Sequence, residues 1–231
     1  MTLLTKETIG KSIVISRLDG EELAQNLDSI APQVTAVVAA GFGPSKQADV
    51  ESIRARLLHE PHLVYAQKDS EIVGFQIQSI FETPDDTYLY FARAIRKEYQ
   101  KLGLGSQLLE YAFKQYKPTV IGARTQNPAA LLSFIKFLRR NDQHMIYPIS
   151  PMHEQGDSMQ DTVRQFTQLL EFEDQVDLET GRMRGVYEDG RLGDYVINIA
   201  DPSTIAIEQY LQSINFERSS GDALFYCARM K

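Results

Sequence analysis

The sequence predicts an α/β (α+β) protein, a central sheet flanked by helices. Three observations carry this. Leu63–Lys68 and Ile72–Phe81 are extended runs joined by the short connection Asp69-Ser-Glu71, which makes an antiparallel hairpin. Leu89–Phe113 passes from extended residues through a charged bend and two glycines into helical spacing, and so reads as strand, loop, helix. Apolar stripes of period 3.6 recur along the rest of the chain.

Taken in order, Lys11–Leu18 has the β-branched content of a first strand, and Asp19-Gly20 turns it into a helix over Glu21–Asp28 with Leu23 and Leu27 on one face. The glycine-rich Ala39–Pro44 precedes a second helix over Ser45–Leu58. Val50, Ile53 and Leu57 share a side there, Ser45 is the expected N-cap, and Pro61 blocks continuation. In the hairpin, Val73, Phe75 and Ile77 point one way and Gln76 and Gln78 the other. Thr83-Pro-Asp-Asp86 leads into a strand over Thr87–Arg96. After the glycines, Leu108, Leu109, Ala112, Phe113 and Tyr116 form a helical stripe that Pro118 ends. Thr119–Ala123 is a short strand. Asn127-Pro128 starts a helix with Leu131, Phe134, Ile135 and Leu138 aligned, Asn127 serving as N-cap and Pro128 as the first helical residue. Beyond it lie the extended Ile146–Pro151, an amphipathic helix near Thr162–Phe172, a strand over Tyr195–Ile199, a helix begun by Asp201-Pro202 and carrying Ile207, Tyr210, Leu211 and Ile214, and a closing strand over Ala223–Ala228. No repeat, low-complexity segment or linker splits the chain. One domain over residues 1–231, with 144–193 as an insertion or extension, is the expectation.

The chain has 231 residues, 43% hydrophobic, enough for a substantial core. The amino terminus lacks a basic segment followed by a long apolar run, and no apolar stretch reaches membrane length, so a cytoplasmic protein is expected. Thirty-one acidic against twenty-four basic side chains give a net charge of −7, which repels phosphodiester backbones and argues against nucleic acid. The same charge suits an amine-bearing partner, although acidity also serves solubility. Glu171–Glu179 is accordingly either a solvated face or a site for a cationic acceptor. The single cysteine, Cys227, excludes an internal disulfide or a cysteine metal cluster and reads as a buried thiol. His59 and His62 are three apart, but Pro61 spoils the shared helical face and no third ligand stands nearby, so no metal is expected.

The strand–loop–helix joint makes an anion site. Gly103 and Gly105 let backbone N–H groups approach a ligand, and the following helix aims its positive end at the same spot. A dinucleotide fold would need its third glycine at Leu108, where a small residue is required. Gln100-Lys101-Leu102-Gly103-Leu104-Gly105 resembles the Arg/Gln-x-x-Gly-x-Gly/Ala signature of the GNAT superfamily of N-acetyltransferases, with order recognisable from about Ser12 to Arg140.

The resemblance implies the GNAT fold: a mixed, mostly antiparallel central sheet flanked by helices, here with an enlarged C-terminal part. It implies acetyl-CoA or another acyl-CoA as co-substrate and an amine of a small molecule or peptide as acceptor; beside it stand the expectations of no metal and no membrane partner, drawn from the residues above, and of room for a homodimer. Gln100, Lys101, Leu102, Gly103, Leu104, Gly105 and Ser106 would hold the pyrophosphate, and a backbone N–H at Arg93 or Ile95 would face the thioester carbonyl. Asn127 would lie beside the pantetheine arm unless it serves only as the helix cap, and Ala39–Pro44 would line the acceptor pocket unless it is only a turn. The family's usual acid, a tyrosine, is replaced by Phe134, which cannot donate a proton. That leaves Tyr210 as substitute acid or as a core residue. Glu82, Tyr88 and Tyr90 remain as bases acting through water, and many members of the family lack an indispensable base. A longer acyl donor, or a CoA-binding module without turnover, are the alternatives.

Overall fold

The computed structural model describes residues 7–9, 13–43, 49–143, 145–148, 157–187, 190, 193, 197 and 201–230. The expected N-cap Ser45 and most of the expected strand Tyr195–Ile199 lie outside them. The chain forms two compact units, one of residues 1–79 and 91–117, the other of residues 80–90 and 118–231.

The first unit holds β1 (Glu7–Ile9), β2 (Ile13–Asp19), α1 (Gly20–Phe42), α2 (Val50–His59), β3 (His62–Lys68) and α3 (Leu104–Tyr116), with most of β4 (Glu71–Glu82) and the second half of β5 (Thr87–Ile95). Its strands are ordered β1-β2-β3-β4-β5, and β1 to β4 pair antiparallel in succession. The hairpin is as the sequence predicts: Lys68 pairs with Glu71 and Tyr65 with Phe75.

α1 runs to Phe42, far beyond Asp28. Pro32 removes one backbone donor, yet Ile30, Ala31, Val34, Val37 and Val38 continue the apolar stripe and all are buried against Ile72, Phe75 and Ile77. A buried valine or isoleucine side chain contributes about 1.5–3 kcal/mol, so these four outweigh a proline cost of about 3 kcal/mol. Ala39–Phe42 is therefore the last turn of a helix, with Gly43 as its C-cap. α2 starts at Val50, where the Asp49 carboxylate accepts from Ser52 N at 2.8 Å. On the other face of β4, Gln76 and Gln78 are fully buried and bonded to each other at 2.9 Å, and Gly74 lies against Leu104 of α3.

In the second unit β5 is followed in the sheet by β6 (Val120–Thr125), then β8 (Ala223–Arg229), then the two-residue β7 (Arg182–Met183). β8 is thus interior, between β6 and β7. The starts of β5 and β6 lie side by side, Thr119 N donating to Thr87 O at 2.9 Å. Its α-helices among the described residues are α4 (Pro128–Arg140), α5 (Asp157–Leu169) and α6 (Pro202–Ser213). α5 supplies Met159, Val163 and Phe166 to a core with Tyr88, Tyr90, Tyr147, Phe225 and Cys227. Burial pushes the Cys227 thiol up, as befits an inert packed sulfur. Asp201 caps α6 through Ser203 N at 2.9 Å. Asp86 and Arg229 form a two-pronged ion pair at 2.7 and 2.8 Å, and Thr162 accepts from the same guanidinium. Hydrogen bonds from Arg229 hold the Asp86 carboxyl below its ordinary value.

Candidate functional site

In the first unit the expected loop residues lie together at the turn between β5 and α3. β5 ends at Ile95, the short turn Lys97–Tyr99 follows, and Gln100–Gly103 reverses the chain into α3. Gly103 is left-handed at φ 79°, ψ 2°, and Lys101 also has φ 66°. A Cβ on Gly103 would meet only Gln107 Nε2 at 3.6 Å, so the space beyond it is open. Ser106 N and Gln107 N both donate to Gly103 O, at 3.1 and 3.2 Å. The amides of Leu104 and Gly105, ahead of them, have no carbonyl within the helix to receive them.

Polar clamps from several elements fix the loop. Gln100 Nε2 donates to Ile95 O at 2.9 Å and to Gly41 O at 3.3 Å, tying the loop to β5 and to the last turn of α1. Arg93 donates to Gly105 O and lies over the Phe91 ring, 5.5 Å from its centroid. Gly105 is required for this approach: a Cβ there would come within 3.1 Å of Arg93 Cζ and 3.2 Å of Ile95 Cδ1. Arg96 donates to Ile72 O at 3.1 Å and its backbone N to Val73 O at 2.9 Å. Four of the nine residues from Arg93 to Lys101 are cationic, a basic lip on an acidic chain. Lys97, Lys101 and Leu102 are exposed, while Leu104, Gly105 and Ser106 are buried. Positive charge, a left-handed glycine and free helix-start amides suit a pyrophosphate.

Sequence reasoning missed Gly41. A Cβ there would lie 2.7 Å from Ile95 O, so its absence lets α1 close onto the end of β5. The signal was present in Val34, Val37 and Val38, whose spacing carries the helix through Gly41. Also unforeseen is the cluster at the far end of α3, where Asp19 Oδ1 accepts from Tyr116 at 2.5 Å and lies 3.0 Å from His62 Nδ1. Burial raises the Asp19 carboxyl, but hydrogen bonds from His62 and Tyr116 outweigh that and hold it below its ordinary value. His62 is thus the partner of a carboxylate on the paired strand.

The second unit holds the other expected residues. Asn127 caps α4, its Oδ1 accepting from Ala129 N at 2.9 Å, and its side-chain amide N–H groups have no partner among the described residues. The cap uses the oxygen only. Phe134 is fully buried against Tyr226, ring centroids 4.9 Å apart. Tyr210 donates to Thr180 O at 2.8 Å, and burial with the charge of Asp177 pushes its hydroxyl up to about 12. Tyr88 donates to Gln165 Oε1 at 2.7 Å and burial likewise pushes it up to about 12. Tyr90 is buried edge-on to Phe172 at 5.8 Å, and Glu82 is exposed at the end of β4.

No helix among the described residues is long and apolar enough to cross a membrane. Residues 33–137 match the model of the acetyltransferase (GNAT) family. Among curated protein sequences none matches the chain. An acetyltransferase of the GNAT family from Streptococcus pneumoniae is similar in structure over 94% of this chain and 99% of its own, at 13% identity and TM-score 0.46. The ribosomal-protein-S18-alanine N-acetyltransferase from Escherichia coli is similar over 53% of this chain and 75% of its own, at 13% identity and TM-score 0.41. The protein yncA from Salmonella typhimurium, with its cofactor acetyl-CoA, is similar over 53% and 77%, at 15% identity and TM-score 0.36. Likeness at that level adds no argument, whereas the family match spans the end of α1, the hairpin, the glycine loop and most of α4. Residues 33–137 thus carry the sequence pattern of the acetyltransferase (GNAT) family, and the fold built around them is the GNAT fold.

Proposed function

We propose that the chain transfers an acetyl group from acetyl-CoA to a primary amine of a small molecule or peptide. The observation that carries this reading is the loop Gln100–Ser106, with its left-handed Gly103, open helix-start amides and basic lip, inside the region the family model matches. The amides of Leu104 and Gly105, with the charge of Lys101, hold the pyrophosphate. The cap leaves the amide N–H groups of Asn127, in the second unit, available to a pantetheine carbonyl. A backbone N–H of β5 at Arg93 or Ile95 polarises the thioester carbonyl.

Transfer forms one C–N bond and breaks one C–S bond, so a proton must leave the amine and one must reach the thiolate. Glu82 or Tyr90 takes the amine proton through water. For the thiolate we assign the proton to water: Phe134 has none to give, and the Tyr210 hydroxyl is raised to about 12 and spent on Thr180. The buried Phe134 also favours one second reading, a CoA-binding module without turnover. Thiol release from acetyl-CoA with a panel of primary amines separates the two. Turnover on any amine supports the transferase, and tight CoA binding with no turnover on all of them supports the module.

A further inference from the structure

Arg124, on β6 three residues before Asn127, is set apart from the other half-buried guanidinium groups of its unit. Arg182 is paired with Asp222, Arg218 with Glu208, and Arg229 with Asp86. Arg124 has neither an ion pair nor a hydrogen bond among the described residues. It is held by rings instead, its Cζ 5.1 Å from the centroid of Phe172 and 5.8 Å from that of Tyr187.

The mount is built. Phe172 is braced edge-on by buried Tyr90, Phe172 and Tyr187 both pack on the core of the unit, and Arg124 itself is in register with Phe225 of β8. A guanidinium lying on aromatic faces keeps its planar orientation while its edge donors stay available, and that fork matches a carboxylate in two-pronged fashion. The exposed carboxylates Glu171, Glu173 and Asp174 flank Phe172 in the chain. They oppose a bare anion such as phosphate and suit a ligand that carries a positive charge next to its carboxylate.

We propose that Arg124, clamped by Phe172 and Tyr187, is the carboxylate-recognition point for the acceptor, which is therefore an amine bearing its own carboxylate, of the free α-amino acid class. The acceptor role rests on the reading of the chain as an N-acetyltransferase; the carboxylate site does not.

The test uses pooled free α-amino acids and, separately, their carboxamides, titrated by ligand-observed NMR into the full chain and into Arg124→Gln and Arg124→Lys. The free acids bind the native chain at least ten-fold more tightly than the carboxamides, and Arg124→Gln abolishes that difference. Arg124→Lys keeps the charge but not the planar fork, retains part of the difference, and with an unchanged melting temperature excludes misfolding as the cause. Acids and carboxamides of equal affinity, or a difference that survives Arg124→Gln, overturns the proposal. Thiol release from acetyl-CoA is measured with the same two pools. Turnover that ignores the carboxylate leaves the transferase reading standing and overturns this one, whereas Arg124-dependent binding with no turnover in either pool supports the carboxylate site, overturns its role in acceptor binding, and leaves the transferase reading to the wider amine panel.

Discussion

Replacing Gly41 with alanine tests how the site is assembled. In an ordinary helix that change stabilises by about 0.5–1 kcal/mol, because alanine loses less backbone freedom on folding. Here the new Cβ would stand 2.7 Å from Ile95 O and 3.4 Å from Ile95 C, all backbone atoms with no rotamer to change. Either α1 lifts away or the end of β5 shifts, and overpacking of that kind costs about 1–3 kcal/mol. Subtracting the propensity gain leaves a net loss of up to about 2.5 kcal/mol, a fall in melting temperature of up to about 10 °C for a chain of this size. The change also reaches the ligand, because Ile95 O and Gly41 O are the two acceptors for Gln100 Nε2. We predict that Gly41→Ala melts lower and binds CoA at least three-fold more weakly, measured by thermal unfolding and calorimetric titration on one preparation. A variant that is more stable by the ordinary helix increment, with unchanged CoA affinity, would refute the close approach of α1 to β5.

Two further outcomes are expected. Tyr210→Phe removes a hydrogen bond to Thr180 O, which costs about 1 kcal/mol; with water as the thiolate's proton source, kcat stays within about two-fold, and a ten- to thousand-fold loss at unchanged donor KM would assign the proton to Tyr210 after all. Asp86→Asn lowers stability at pH 7 by about 1.5–3 kcal/mol, because it discharges one half of the ion pair with Arg229. The Asp86 carboxyl is held below its ordinary value in the folded chain, so its contribution is complete above about pH 4–5 and is lost as the pH falls toward the depressed value. Urea midpoints of variant and native chain must therefore converge toward pH 3, and a constant gap between pH 3 and 7 would contradict the assignment.

What is legible in the sequence is what is decided locally. Gly103 and Gly105 at spacing two, an extended run before them and a helical stripe after them are all contained in about twenty-five residues, and the structure builds that joint at the expected place. The hairpin of β3 and β4, the Asn127 cap and the Asp201 cap are legible for the same reason. α1 is not, because Pro32 and the glycines at 41 and 43 are local signals against a helix, and the burial of Val34, Val37 and Val38 that overrides them comes from β4.

The two purposes of glycine in the loop are likewise invisible in the spacing. Gly103 is there for its left-handed φ, whereas Gly105 makes room for Arg93 and Ile95, some ten residues earlier in the chain. Arg124 carries no sequence signal at all, since Phe172 and Tyr187 are brought to it by chain reversals long after β6. Two of the three boundaries between the compact units fall inside β4 and β5, where no proline, glycine or polar run marks a linker, and only the third, at Lys117–Pro118, carries a proline.

The central claim is that the loop before α3 holds the pyrophosphate of the donor. Calorimetric titration with acetyl-CoA and with acetyl-pantetheine, which lacks the pyrophosphate, tests it on the native chain and on Gly103→Val. The valine must take a left-handed φ of 79° at a local cost of about 1–2 kcal/mol, and its branches enter the open space in front of the amides. The account predicts that the native chain binds acetyl-CoA at least a hundred-fold more tightly than acetyl-pantetheine, and that Gly103→Val weakens acetyl-CoA at least ten-fold while leaving acetyl-pantetheine unchanged. Equal affinity of the native chain for the two donors, or an acetyl-CoA affinity indifferent to Gly103→Val, would contradict it.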